Sequence, residues 1–314
     1  MDVVLVGLGR IGKLVARRLL LQDGAGLNWV GAVELTRDPD LFSYMLNYDS
    51  TDGTLDTRVE HTTGSLKVRG SNDVPLFNDL TLAMEETSPD LVVDCSGSQK
   101  LAEILLSRDR TRFTRHLFAQ ALDLLKRDND SRAWAYGVND SDFDRLKIPR
   151  NIINPGCLNN CLIPLIACLN EQHKIMKGSF VSVHSVTNPQ PSLDRAKRSP
   201  RWYRASHSNL APAAHDSMGL VDHFFPELRD KLVGRTVRAP VNNTSYITCN
   251  FELDKRTDTD SLLRCLTSTK IIPTVFGIDR EPLVSSDYLT DSRSCVVDGT
   301  SIKVVDGSTV LVSD

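Results

Sequence analysis

No apolar run in the chain approaches the roughly 18 residues that a membrane-spanning helix needs. The opening residues hold no positively charged n-region either. Val3-Val4-Leu5-Val6 opens a strand almost at once, which predicts a cytosolic, cytoplasmic protein. Neither sign of charge dominates: 37 Lys and Arg stand against 40 Asp and Glu, a formal net charge of −3. Neither nucleic acid nor an anionic membrane is therefore an expected partner. Cysteine is not clustered. The seven, at 95, 157, 161, 168, 249, 265 and 295, are odd in number and scattered through apolar segments. That pattern argues against a disulfide framework and for a reducing compartment. Only Cys157-x3-Cys161 has ligand-like spacing, and no nearby Cys or His completes a zinc site, so no metal is expected. No internal repeat or low-complexity tract is present. What remains is an ordinary soluble composition, 40% hydrophobic and 25% charged, in 314 residues, long enough for two domains.

The short β-branched run ends in Gly7-Leu8-Gly9-Arg10-Ile11-Gly12, and Ile11, Val15, Leu19 and Leu20 follow at helical spacing. Trp29-Val30-Gly31-Ala32-Val33 reads as a second strand ending in Glu34. Strand, glycine turn, helix, strand and an acid about 20 positions beyond the glycines make a dinucleotide-binding arrangement. The glycines let backbone approach a pyrophosphate, the helix N-terminus faces that anion, and the acid accepts from ribose hydroxyls. For the glycines alone, a plain tight turn is the competing reading. Leu91-Val92-Val93-Asp94-Cys95 is a further buried-type strand, closing in Ser96-Gly97 where another loop would reach the cofactor. Residues 101–106 are helical in pattern; 115–118, 133–138 and 152–153 read as strands. The alternation predicts an α/β, Rossmann-type doubly wound parallel sheet over residues 1–152.

From residue 153 the texture changes. A helix is expected over 157–170, followed by a clean alternation over 179–186 that puts His184 on one face of a strand. Residues 187–217, rich in Pro, Ser, Asn and Arg, form a long loop of the kind that builds a site or an interface. Strands near 236–238, 245–253, 283–285, 295–297, 302–305 and 309–312, with a helix Thr259–Thr267, predict an α+β domain with a mostly antiparallel sheet over 153–314.

Asn154-Pro155-Gly156-Cys157 runs straight into the first helix of that half. A thiol at the first turn of a helix sits where unpaired N–H groups and the positive end of the macrodipole favour a thiolate. Thiolate is the nucleophilic form, so covalent chemistry would begin at Cys157. A buried structural cysteine is the competing reading.

These segments together resemble the glyceraldehyde-3-phosphate dehydrogenase family, and within it look closest to the erythrose-4-phosphate dehydrogenases. The matching stretches begin with Gly7 to Gly12, Glu34-Leu35, Asn47-Tyr48-Asp49-Ser50-Thr51-Asp52-Gly53 and Asp94-Cys95-Ser96-Gly97. They continue in family order with Tyr136-Gly137-Val138-Asn139, Asn154 to Cys161, His184-Ser185-Val186-Thr187 and Phe224-Phe225-Pro226. Arg238-Ala239-Pro240, Ser285-Ser286-Asp287 and Val297-Asp298-Gly299 complete them, over nearly the whole chain.

The resemblance implies an NAD-dependent aldehyde dehydrogenase acting on a small phosphorylated sugar aldehyde. Cys157 would add to the carbonyl to give a thiohemiacetal, then a thioester, with His184 as the base. Gly7, Gly9, Arg10, Ile11 and Gly12 would line the cofactor pyrophosphate, Ser96 and Gly97 its centre, and Glu34 the adenosine ribose. An acid there disfavours a 2′-phosphate, so NAD is expected rather than NADP. Thr187 and Arg238 fit positions around the substrate phosphate, and Arg204 fits the arginine that serves inorganic phosphate. A guanidinium grips phosphate in a planar, bidentate way. Cys161 matches a position without catalytic duty. A homotetramer, built partly by the 187–217 loop, is implied as well.

The departures from the family pattern carry their own expectations. Gly156 and Leu158 stand where the family has Ser and Thr around the cysteine; His215-Asp216 replaces Thr-Gly, and Pro189 replaces a hydroxyl residue. An anion that loses hydroxyl donors binds worse by about 1–3 kcal/mol per contact. Water, rather than inorganic phosphate, is then the expected acyl acceptor. In the family a Trp-x-Asp-Asn-Glu stretch and a long helix follow the strand that here ends at Val312-Ser313-Asp314. Without them hydride geometry would be less fixed and turnover slower. Two other readings stay open: a catalytically weak or inactive relative kept for nucleotide binding or regulation, and thioester or ester hydrolysis through Cys157 alone.

Overall fold

The computed structural model describes residues 1–21, 26–68, 72–107, 114–119, 128–143, 148–197, 199–213, 218–271 and 273–313. The His215-Asp216 pair lies outside them. The chain divides into two compact units, Met1–Trp134 with Ser141–Pro155, and Ala135–Asp140 with Gly156–Asp314.

In the first unit, nine strands among the described residues form one sheet. Their spatial order is Ser131–Ala133, Asn151–Ile153, Arg115–Phe118, Leu91–Asp94, Asp2–Val6, Asn28–Val33, Val74–Phe77, Ser65–Val68 and Val59–His61. All neighbours are parallel except the last two pairs. Val3 and Leu5 join one apolar cluster and Val4 and Val6 another, so the central strand is covered on both faces. A continuous β-branched run suits that position, because alternate side chains point to opposite, equally dry layers. Helices Arg10–Leu21, Leu80–Thr87 and Gln99–Ser107 belong to this unit. Helix Pro39–Asn47 has Asp38 as its cap, accepting from the Leu41 N–H, and proline at its first position.

The strand expected over 133–138 stops at Ala133. Trp134 stacks on Phe143 at 4.9 Å, Gly137 takes φ +83°, and the Asn139 side chain accepts from the Ala135 N–H at 2.9 Å. Together these close a turn where an extended run was expected.

In the second unit a six-stranded sheet runs Ala211–Ala213, Leu232–Arg238, Ile175–His184, Ser245–Leu253, Thr309–Ser313, Lys303–Val305. Only Ile175–His184 and Leu232–Arg238 are parallel neighbours; the other four pairs are antiparallel. Helix Cys157–His173 packs its Leu158, Leu162, Leu165 and Leu169 into the core that Phe180, Ile247, Cys249 and Phe251 supply from the sheet. Gly234 is required there: a Cβ on it would lie 2.3 Å from the Phe180 ring. The strand expected at 283–285 is absent. Leu283 and Val284 are exposed, and Ser285–Tyr288 forms a single 3-10 turn whose Asp287 carboxylate accepts from the Val284 N–H. Two apolar residues with nothing to cover them do not make a buried strand. No helix among the described residues is long and apolar enough to cross a membrane.

Candidate active site

In the first unit, the turn after Asp2–Val6 is held by close backbone contact. A Cβ on Gly7 would meet Ser96 Cα at 2.7 Å, and one on Gly12 would meet the Gly7 carbonyl oxygen at 1.7 Å. These two glycines seat the turn against the loop that follows Leu91–Asp94. Gly9 differs: nothing lies within 4 Å of where its Cβ would be, so space opens over the head of helix Arg10–Leu21. The Glu34 carboxylate accepts from the Leu8 N–H and turns its other oxygen to the Leu35 N–H. Asp94 is buried and accepts from both the N–H and the hydroxyl of Ser96; burial raises its carboxyl, and these two donors oppose the rise. Gly97 follows at φ +63°. Gly7, Gly9, Arg10, Ile11, Gly12, Glu34, Ser96 and Gly97 thus lie just beyond the C-terminal ends of three neighbouring central strands, Leu91–Asp94, Asp2–Val6 and Asn28–Val33. Open space at Gly9, helical N–H groups beneath it and an acid beside it fit a dinucleotide pyrophosphate and ribose.

In the second unit, Cys157 is the first residue of helix Cys157–His173. It is exposed, whereas the other six cysteines are buried or half-buried. Gly156 before it has φ +89° and ψ 164°, a conformation open to little but glycine, with no side chain to cap the helix. Leu158 turns into the core and leaves the site. His184 ends strand Ile175–His184, and its Nε2 lies 3.3 Å from Cys157 Sγ. The two residues singled out for chemistry are therefore brought together.

On the other side of the ring, His184 Nδ1 lies 2.8 Å from the Ser185 carbonyl oxygen and also contacts Arg238 Nη1. Arg238 Nη1 donates to the same carbonyl at 2.9 Å. The parallel register pairs His184 with Arg238 and so puts both side chains on one face. Trp202, from the long loop, lies under the guanidinium with its ring centroid 5.3 Å from Cζ. Burial lowers the Arg238 guanidinium, and negative charge on Cys157 opposes that. Its Nε is buried without a hydrogen-bond partner.

The remaining expected positions are placed differently. Thr187 uses its N–H and hydroxyl on the Gln190 side-chain oxygen, at 3.1 and 3.4 Å, inside a tight turn. Arg204 forms an exposed ion pair with Asp194 at 2.6 Å. The Ser185 carbonyl and Trp202 had not been singled out from sequence. A lone tryptophan in a polar loop was the only local signal for the second.

Comparison with known proteins agrees with this division. Residues 1–101 match the family model described as glyceraldehyde 3-phosphate dehydrogenase, NAD binding domain, and residues 156–313 match its C-terminal domain. "Glyceraldehyde-3-phosphate dehydrogenase 2" of Staphylococcus aureus (strain Mu50) is 26% identical over 318 residues, covering 99% of this chain and 89% of that protein. The protein of the same name from Staphylococcus epidermidis (strain RP62A) is 27% identical over 320 residues, with the same coverage.

Proposed function

Because this chain belongs to the glyceraldehyde-3-phosphate dehydrogenase family of NAD-dependent oxidoreductases, we propose that it oxidises the aldehyde of a phosphorylated sugar, with Cys157 as nucleophile and His184 as base. The observation that supports this reading most is the 3.3 Å approach of Cys157 Sγ to His184 Nε2 at the head of a helix. Sγ adds to the carbonyl carbon while its proton passes by way of Nε2 to the carbonyl oxygen, giving a thiohemiacetal and leaving Nε2 free again. His184 then takes the hydroxyl proton as hydride leaves that carbon, and a thioester remains on Cys157. NAD, when bound, supplies the hydride acceptor. Gly9, Arg10, Ile11 and Gly12 would hold its pyrophosphate, Ser96 and Gly97 its middle, and Glu34 its adenosine ribose, where a carboxylate would repel the extra phosphate of NADP.

Water is the proposed acyl acceptor. Gly156 offers no hydroxyl and Leu158 packs in the core, so neither side chain supplies a donor for inorganic phosphate. Water attacks the thioester carbonyl, the C–S bond breaks, and the product leaves as a free acid. A four-carbon phosphorylated aldose such as D-erythrose 4-phosphate is the proposed substrate, with Arg238 as the anchor for its phosphate and Thr187 beside it. The outward sheet face carries Val181, Val233, Tyr246 and Leu311, all exposed, which supports a homo-oligomer, a tetramer by family pattern. The test is purified protein with NAD and either D-erythrose 4-phosphate or glyceraldehyde 3-phosphate, following reduced cofactor by absorbance. Cys157→Ser should be silent, and the product in phosphate buffer should be the acid. An acyl phosphate product would refute water as acceptor, and a silent wild type would refute the whole reading.

A further inference from the structure

Two sulfurs deep in the second unit take no part in the chemistry at Cys157. Cys168 lies on helix Cys157–His173 and Cys265 on helix Thr259–Thr267, and their Sγ atoms are 3.9 Å apart. Each thiol also lies against the other's backbone. Cys168 Sγ is 3.7 Å from the Cys265 carbonyl oxygen, and Cys265 Sγ is 3.8 Å from that of Cys168. The two residues therefore face each other directly across the helix contact. The cluster around them is otherwise aliphatic, with Leu165, Leu169, Leu262 and Leu266 buried in it. In such a core one cysteine packs as a small hydrophobe, but two in sulfur contact add the means of forming a bond. A disulfide is about 2.05 Å long, so each sulfur has about 1 Å to move, on the scale of a side-chain turn.

The pair is also polarised. The hydrogen bond from Cys265 lowers the Cys168 thiol; burial opposes that, the Thr269 hydroxyl assists it, and the Glu171 charge resists it. The same hydrogen bond, burial and negative charge on Cys168 push the Cys265 thiol up. Cys168 is thus the attacking sulfur and Cys265 the one that keeps its proton. Both side chains retain a trace of exposure, 4% and 3%, and Thr267, Ser268 and Lys270 just beyond Cys265 are exposed. Fraying of that helix end gives a small oxidant a short way in.

We propose that Cys168 and Cys265 form a reversible redox staple, closed by a hydroperoxide. The Cys168 thiolate attacks one oxygen of hydrogen peroxide and the O–O bond breaks. The leaving hydroxide takes the proton that Cys168 gave up, so a sulfenic acid and one water result. The Cys265 sulfur then attacks the sulfenic sulfur, and the hydroxyl departs with the Cys265 proton as a second water. Two thiols lose two electrons and two protons, and one peroxide becomes two waters. A dithiol reductant reopens the bond by exchange. The closed bond spans 97 positions and encloses strands Ile175–His184, Leu232–Arg238 and Ser245–Leu253. Closing such a loop restricts the unfolded chain, so the oxidised unit is the more stable one. Cys157 has no part in the reaction, and the staple stands or falls independently of aldehyde oxidation.

The test uses the full chain carrying Cys157→Ser, which removes the exposed competitor for oxidant. The folded protein is treated with hydrogen peroxide, unfolded, alkylated and digested without reduction. Mass spectrometry should find the Cys168 and Cys265 peptides joined, two hydrogens lighter than their sum, and dithiothreitol should part them. Oxidation should raise Tm by about 5–10 °C, a gain that dithiothreitol removes. Cys265→Ala in the same background should give neither the joined peptides nor the rise. Should that variant not fold, the oxidised and re-reduced forms of the parent protein decide between themselves. Recovery of both cysteines as free thiols after peroxide overturns the proposal. So does a bond that forms only in urea, where the facing geometry is lost, or one that leaves Tm unchanged.

Discussion

Gly156 shows how a single backbone position conditions the chemistry next to it. With φ +89° and ψ 164°, it delivers Cys157 to the first turn of its helix in a conformation that a side chain would strain. Nothing lies within 4 Å of where its Cβ would stand, so the cost is conformational and not steric. Gly156→Ala should therefore lose about 1–3 kcal/mol in urea unfolding, and restoring a serine here would not simply restore a phosphate donor. Thiol reactivity can be ranked on the same scale. Burial, with the Asp94 charge beside it, pushes the Cys95 thiol up to about 12, while Cys157 is the exposed cysteine at a helix head. Brief iodoacetamide treatment at pH 8 should modify Cys157 and spare Cys95, read by peptide mass spectrometry. Equal labelling of the two would contradict the environments described for them.

At the scale of elements, the helix Arg10–Leu21 does more than present its N-terminus. Its Arg17, 6% exposed, donates to the carbonyls of Leu46, Asn47, Asp52 and Gly53 and so ties the 46–53 segment to this helix. Arg17→Met keeps the bulk but orphans several buried acceptors, and should cost about 2–4 kcal/mol of stability by chemical denaturation. Asp49, in the same segment, is buried enough to be pushed up. The Lys13 ammonium and the N–H groups of Asp52 and Thr51 outweigh that and hold its carboxyl well below the ordinary value. A carboxyl depressed in the fold stabilises above its unfolded value of about 4, and that contribution is lost as pH falls through the lowered value. Asp49→Asn should thus be less stable than wild type at pH 7, with urea midpoints converging below about pH 3. Long periodic elements were legible in sequence: Ser245–Leu253 and Thr259–Thr267 lie where alternation and helical spacing put them. Val59–His61 and Ser65–Val68 were not, because three or four residues hold too little period to read. The contact between His184 and Arg238 is illegible for another reason. It depends on parallel pairing of strands 54 residues apart, and no local pattern encodes that register.

For the whole molecule, cofactor binding and catalysis can be separated because each unit carries its own set of residues. A ligand that binds only the folded chain adds about 2.7 kcal/mol at 100 times its Kd, which for a protein of this size raises Tm by about 5 °C. NAD should give such a shift, and Cys157→Ser should show it undiminished, since the sulfur is no part of the proposed dinucleotide cradle. Gly9→Val should behave in the opposite way. The space around Gly9 is open, so the free variant should melt within a few degrees of wild type, yet its side chain would fill the place reserved for the pyrophosphate. Gly12→Ala would not separate the two effects, because its Cβ would strike the Gly7 carbonyl and disturb folding itself. The decisive comparison is a differential scan of wild type, Cys157→Ser and Gly9→Val, each with and without NAD. An NAD shift that survives in Gly9→Val would place the dinucleotide somewhere other than the glycine turn, and the link drawn from that turn to the redox chemistry at Cys157 would have to be abandoned.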